Sequence, residues 1–197
     1  MLNIFIYQIL VLFLQHKLKN KEEMKNILVE KGKELSWMLR HDKDAYNQGK
    51  IDQNGWRDVD EIVLHGFTRD LLDNIVLTNN KKRFEYNIDK TKIRARQGHS
   101  IPVDVELKEM TPPDVLYHGT ATRFIDSIKD KGLIPGTRLY VHLSIDEDTA
   151  VNVGSRHGEP YVIKVDCKQM VKDGIKFYLS NNNVWLTDHV PVKYITF

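Results

Sequence analysis

The sequence predicts an α+β protein of two lobes, with helices and a small hairpin in the first half and an antiparallel-rich sheet in the second. Three observations predict it. Apolar residues recur with helical period and then switch to alternation within the first half, a paired-proline segment TPPD (Thr111–Asp114) punctuates the middle, and short alternating runs dominate the remainder. At 197 residues and 41% apolar content the chain can bury a core in each lobe.

From Met24, the run MKNILVEKGKELSWMLRH sets Leu28, Leu35, Met38 and Leu39 on one side with charges between them, which predicts an amphipathic helix ending at Arg40-His41. A loop rich in Asp, Asn, Gln and Gly runs to Gly55, and WRDVDEIVLHG reads as a short helix closed by Gly66. Thr68 is placed to cap a third helix, RDLLDNIVLT, which Asn79-Asn80 ends. RFEYNI then alternates Phe84, Tyr86 and Ile88 with polar residues, and KIRARQ follows after an Asp-Lys-Thr turn. Three helices and a hairpin outline a winged helix. Beyond TPPD come VLYHG, a helix RFIDSIKDKG, LYVHLS, an unassigned stretch EDTAVNVGSRHG, YVIKVD, NVWLT and YITF. In LYVHLS, Val141 and Leu143 face one side while Tyr140, His142 and Ser144 face the other.

Lys+Arg 29 nearly balances Asp+Glu 27, so an anionic ligand must be met by local clusters rather than by a basic stripe. The single cysteine, Cys167, excludes an intramolecular disulfide and a multi-cysteine metal centre, and it fits a cytoplasmic location. The eight histidines contain no H-x-H or H-x-x-x-H pair, which argues against a metal hydrolase. The opening MLNIFIYQILVLFLQH is shorter than the roughly 20 apolar residues of a spanning helix and lacks the marks of a secretory signal. It can be an extra helix, a membrane-surface anchor or an upstream extension ahead of a start at Met24, and the last is favoured. The domain reading is therefore an apolar extension over 1–23, a first lobe over 24–110 and a second over 111–197.

Several clusters could carry chemistry. LYHGT delivers His118 and then Gly119, where a ligand could approach the backbone, and Thr120. VHLS puts His142 and Ser144 on one strand face. GSRHG frames Arg156 and His157 with glycines, as a loop around an anion or ribose would require. QGHS (Gln97–Ser100) leaves the hairpin with three polar side chains and a glycine. Taken alone, each also suits an ordinary strand end or turn. Arg40-His41, Arg83 and Arg138 are scattered along the chain, but three guanidinium forks meeting at one point would suit a phosphate dianion.

In order, the motifs LRH, GW, RF, RxxQGHS, LYHGT, RxxVHLS, VGxRHG and NxVWLT resemble the signature of the NAD-dependent RNA (tRNA) 2'-phosphotransferase family, from about Lys25 to Phe197. The resemblance implies a winged-helix RNA-binding lobe followed by an ADP-ribosyltransferase-like split β-sheet lobe. It implies catalytic roles for Arg40, His41, Arg83 and Arg138. It also implies contact with NAD⁺ by His118, Gly119, Thr120, His142 and Ser144, and by Arg156 and His157 in the RHG motif. NAD⁺ is consumed, 2'-phosphorylated RNA is the other partner, and neither a metal nor a protein partner is expected of a monomer. The segment HDKDAYNQGKID departs from the family's lysine–proline opening after Arg-His, which bears on RNA preference.

Two rival functions fit less well. A groove-reading DNA binder needs a basic recognition helix, yet RDLLDNIVLT has two acids, Asp70 and Asp73, and one base, Arg69. A protein-modifying ADP-ribosyltransferase would carry a glutamate in the last motif, and Asn183–Thr187 has none. Transfer to a nucleic-acid terminal phosphate stays open.

Overall fold

A computed structural model describes the backbone from Leu2 and the side chains from residue 17 to residue 197. The side chains of the apolar opening lie outside the described residues. Mixed helix and sheet is observed, as the α+β expectation holds.

The first half is built on a long helix, α1 (Leu2–Arg40), which continues the predicted segment upstream without a break. Its last turns bury Leu35, Met38 and Leu39, as the helical period requires, and each fully buried side chain of this kind contributes roughly 1.5–3 kcal/mol. A short α2 (Lys43–Asn47) follows, capped by the Asp42 carboxylate on Ala45 N–H. Strand β1 (Arg57–Asp58) leads into α3 (Val59–Leu64), and α4 (Arg69–Thr78) starts where Thr68 accepts from Leu71 N–H. Strands β2 (Phe84–Tyr86) and β3 (Lys92–Ala95) pair antiparallel, Phe84 opposite Ala95, and β1 adds to the other edge of β3. Leu35, Leu39, Ile62, Leu72, Phe84 and Ile93 close one core among these elements.

The chain then crosses to the second half. Residues 101–107 run irregularly over a small cluster of Ala45, Ile51, Ile101, Val103 and Val105. Strand β4 (Lys108–Glu109), ahead of TPPD, already pairs with a strand of the second half, β8 (Tyr178–Leu179). The remaining elements are β5 (Val115–Ala121), α5 (Ile125–Lys131), β6 (Val141–Leu143), α6 (Glu147–Gly154), β7 (Pro160–Asp166), α7 (Cys167–Lys172), β9 (Trp185–Thr187) and β10 (Ile195–Thr196). They form two small antiparallel sheets, ordered β10-β7-β5 and β4-β8-β9-β6, stitched by a bridge between Tyr117 and Ser144. Leu116, Ile163, Val165, Leu143, Trp185 and Phe177 fill the core between them.

The stretch EDTAVNVG, left unassigned from sequence, is the helix α6. Asp146 caps it by accepting from Thr149 N–H, and it packs across β5 with Ala150 and Gly154 on the contact face. Among the described residues no helix is long and apolar enough to cross a membrane.

Candidate functional site

Where the halves meet, cations gather that no carboxylate neutralises. Among the described arginines, Arg57, Arg69, Arg94 and Arg96 each pair with an Asp or Glu, whereas Arg40, Arg83, Arg138 and Arg156 do not, nor does Arg123, which lies over the Phe124 ring instead. Arg40 is the last residue of α1, Arg83 stands just before β2, Arg138 lies in the turn before β6, and Arg156 follows α6. The Nε and Nη2 atoms of Arg40 are buried without a hydrogen-bond partner. Burial, and then the charges of Arg83 and Arg138, push its pKa down to about 10, so it is still a cation at neutral pH. A buried, unpaired guanidinium pressed by two others is costly unless an anion completes it.

The neighbouring groups report the same field. Loss of hydration and then Arg156 lower the pKa of both Arg83 and Arg138, and Lys81 is lowered by burial, Arg156 and Arg83. Burial, Arg40 and Arg138 lower His41, which keeps its ring neutral at physiological pH. Thus Arg40, His41, Arg83 and Arg138 converge on one electropositive spot that also reaches Arg156. Lys81 was not singled out from sequence, although the basic run NNKKRF ahead of the hairpin carries it.

Four residues, Gln97–Ser100, thread between the halves and touch the cluster at several points. Gly98 adopts φ +88, and a Cβ there would sit 3.5 Å from the Arg40 guanidinium carbon, so the backbone lies flat against that fork. Ser100 N–H donates to the Arg40 carbonyl at 3.0 Å, and Ser100 Oγ stands 2.9 Å from His41 Nδ1. The His99 carbonyl accepts from Leu139 N–H, next to Arg138, at 3.1 Å. In the sequence alone QGHS suits an ordinary turn, because these contacts lie far from it along the chain.

The second group of candidate residues belongs to the sheets of the second half. His118 Nδ1–H donates to the His142 carbonyl at 3.0 Å, and His142 Nδ1–H donates to the Tyr140 carbonyl at 3.0 Å. His142 Nε2 stands 2.8 Å from Gln97 Oε1. Burial first, then Arg138, push His142 down to about 3, so its ring is neutral; with Nδ1–H given to Tyr140, Nε2 is an acceptor and pairs with Gln97 when that amide is turned to present its NH₂. His118 is lowered mainly by burial. Ser144, whose backbone pairs with Tyr117, lies beyond His142 on the same strand face. Arg156 and His157 are exposed in the turn after α6.

Glycine explains two positions differently from the sequence reading. The space beside Gly119 is filled by α6, because a Cβ there would overlap the Ala150 carbonyl oxygen. Gly154 likewise lies against the Thr120 carbonyl. Both glycines let helix and strand approach, and the buried Thr120 sits in that contact.

A single buried guanidinium braces the front of the site. Arg57 donates from Nη1 to the Met38 carbonyl at 3.1 Å and to Asp42 at 2.9 Å, and it pairs with Glu61 through Nε and Nη2. It therefore ties both flanks of Arg40-His41 to α3. Among the described residues no cluster of His, Cys, Asp and Glu could hold a metal ion.

Residues 26–189 match the model of the RNA 2'-phosphotransferase, Tpt1 / KptA family. A probable RNA 2'-phosphotransferase of Flavobacterium johnsoniae is 51% identical over 178 residues, covering 87% of this chain and 97% of that protein. One from Fusobacterium nucleatum is 48% identical over 176 residues, covering 86% and 98%. A third, from an Escherichia coli strain, is 49% identical over 175 residues, covering 85% and 95%. With its match running through the arginine cluster and the sheet-side histidines alike, the chain belongs to the RNA 2'-phosphotransferase family.

Proposed function

We propose that this chain removes an internal 2'-phosphate from RNA, as at a tRNA splice junction, by transferring it to NAD⁺. The products are RNA with a 2'-hydroxyl, nicotinamide and ADP-ribose 1'',2''-cyclic phosphate. The observation that carries the reading is the buried Arg40 fork, unpaired and flanked by Arg83 and Arg138. A phosphate dianion supplies the charge and the acceptors which that fork lacks.

In this reading the first half is a winged-helix lobe that presents RNA, and the second is an ADP-ribosyltransferase-like lobe that receives NAD⁺ as substrate. His118, His142 and Ser144 hold the dinucleotide, with Gly119 and Thr120 fixing their strand against α6 and Arg156 and His157 contacting the dinucleotide from the turn after α6. The RNA 2'-phosphate attacks the anomeric carbon of the nicotinamide ribose, and nicotinamide leaves as a neutral base. Holding phosphate and carbon in line is the main task, and orientation of that kind can contribute roughly 7–11 kcal/mol. In the second step the ribose 2''-hydroxyl attacks phosphorus and the RNA 2'-oxygen departs. Charge gathers on the phosphoryl oxygens there, so Arg40, Arg83 and Arg138 matter most in that step. The protein acts as a cytoplasmic monomer without a metal.

The test is incubation with NAD⁺ and a short RNA bearing one internal 2'-phosphate, with mass spectrometry of the products. ADP-ribose cyclic phosphate and dephosphorylated RNA are expected. Release of inorganic phosphate, or turnover without NAD⁺, sinks the reading.

A further inference from the structure

We infer that Ser100 is a positioning residue that fixes the ring of His41 with its proton on Nδ1, leaving the Nε2 lone pair free to act as the base of the second step. The role for Nε2 rests on the proposed function, whereas the tautomer does not.

The geometry makes the choice. Ser100 Oγ lies 2.9 Å from His41 Nδ1 and 3.5 Å from the Arg40 carbonyl oxygen. A carbonyl can only accept, so the single hydroxyl proton serves both contacts when it points at the carbonyl and the oxygen accepts from Nδ1–H. Turned the other way, the hydroxyl would set its lone pairs against the carbonyl. The backbone holds this arrangement in place, because Ser100 N–H donates to the same Arg40 carbonyl at 3.0 Å. His41 Nε2 has no hydrogen-bond partner among the described residues. The charged groups facing the ring are Arg40 on its own helix and Arg138 from the second half, with the neutral, buried His99 behind it. Burial first, and then these two cations, hold the imidazole below its free pKa, as a base requires.

The step balances. Nε2 takes the proton of the ribose 2''-hydroxyl as that oxygen bonds to phosphorus, the bond from phosphorus to the RNA 2'-oxygen breaks, and the proton passes to the departing oxygen. Imidazole in water favours the Nε2–H form, which has no lone pair to offer there, so Ser100 works against the ring's own preference.

The experiment uses the full chain with ¹⁵N-labelled histidine, His41 being assigned with a His41→Gln variant. In the wild type and in Ser100→Thr, the His41 signals should show a protonated Nδ1 and a bare Nε2. In Ser100→Ala the tautomer ratio should move towards Nε2–H by about two- to ten-fold, the range one ordinary hydrogen bond sets. Decay of the ADP-ribosylated RNA should slow by about the same factor, with KM for NAD⁺ unchanged. A wild-type ring protonated on Nε2, or a ratio that Ser100→Ala leaves alone, overturns the inference. If the tautomers behave as stated but no cyclic phosphate forms, the proposed function fails and the positioning by Ser100 stands.

Discussion

At the scale of single residues, the site is a set of charges whose partner must come from outside. On the proposed function Arg40 and Arg138 act on the phosphoryl oxygens, so Arg40→Ala or Arg138→Ala should slow the second step by about 10²–10³-fold, the usual effect of removing one such donor. Labelled ADP-ribosylated RNA should then accumulate in a single-turnover assay, and unchanged turnover counts against the assignment. The histidines give a pH prediction. His99 is buried and, by burial first and then Arg40, held down at about 3, against 6.5 for the free ring. As pH falls below about 6.5 the unfolded chain binds a proton there that the folded protein refuses, so stability drops by about 1.4 kcal/mol per pH unit for that group until folded His99 also titrates. His142 acts in the same direction. Glu61, held down to about 2 by its hydrogen bond with Arg57, adds to the acid loss only below its ordinary value of 4.5. Denaturant titrations above that value therefore isolate the histidines, and a His99→Gln variant should flatten the slope there.

At the scale of elements, the contact of α6 with β5 is made by backbone rather than by side chains. Gly119→Ala should cost about 3 kcal/mol or more, because neither the strand nor the Ala150 carbonyl can step aside without parting the two elements. Gly32→Ala is the counterpart. It lies inside α1 with only Ile75 Cγ2 at 3.8 Å from the new methyl, so it should stabilise by roughly 0.5–1 kcal/mol. Thermal melts of the two variants should shift in opposite directions. The same contact explains what the sequence hid. Helices with Leu or Ile on their buried face, such as α4 with Leu72 and Ile75, announce themselves by period. The buried face of α6 is Ala150 and Gly154, which leave no apolar rhythm to read. The hairpin, the Thr68 cap and the alternation around His142 were legible because each depends on neighbours in the chain.

At the scale of the whole molecule, what sequence could not supply was convergence. Arg40, Arg83 and Arg138 meet only because α1, the hairpin and the turn before β6 dock, and no spacing rule encodes that docking. The threading of Gln97–Ser100 through the interface was equally hidden, since its hydrogen bonds reach Arg40, His41, Leu139 and His142 across both halves. Motif order could point to the family, but only the packed chain puts the forks around one point. A consequence can be measured without RNA. Inorganic phosphate should raise the melting temperature, by an amount equivalent to about 2.7 kcal/mol at a hundred times its dissociation constant, and Arg40→Ala should abolish the response.

The flat backbone of Gly98 against the Arg40 fork governs how close the two halves can come at the site. With φ +88, any side chain at this position would be strained as well as crowded against the guanidinium, so the peptide wall stays thin where the two halves meet. Arg83 from the first half and Arg138 from the second bear on Arg40 across so little material that one small anion seated there would answer to both halves at once.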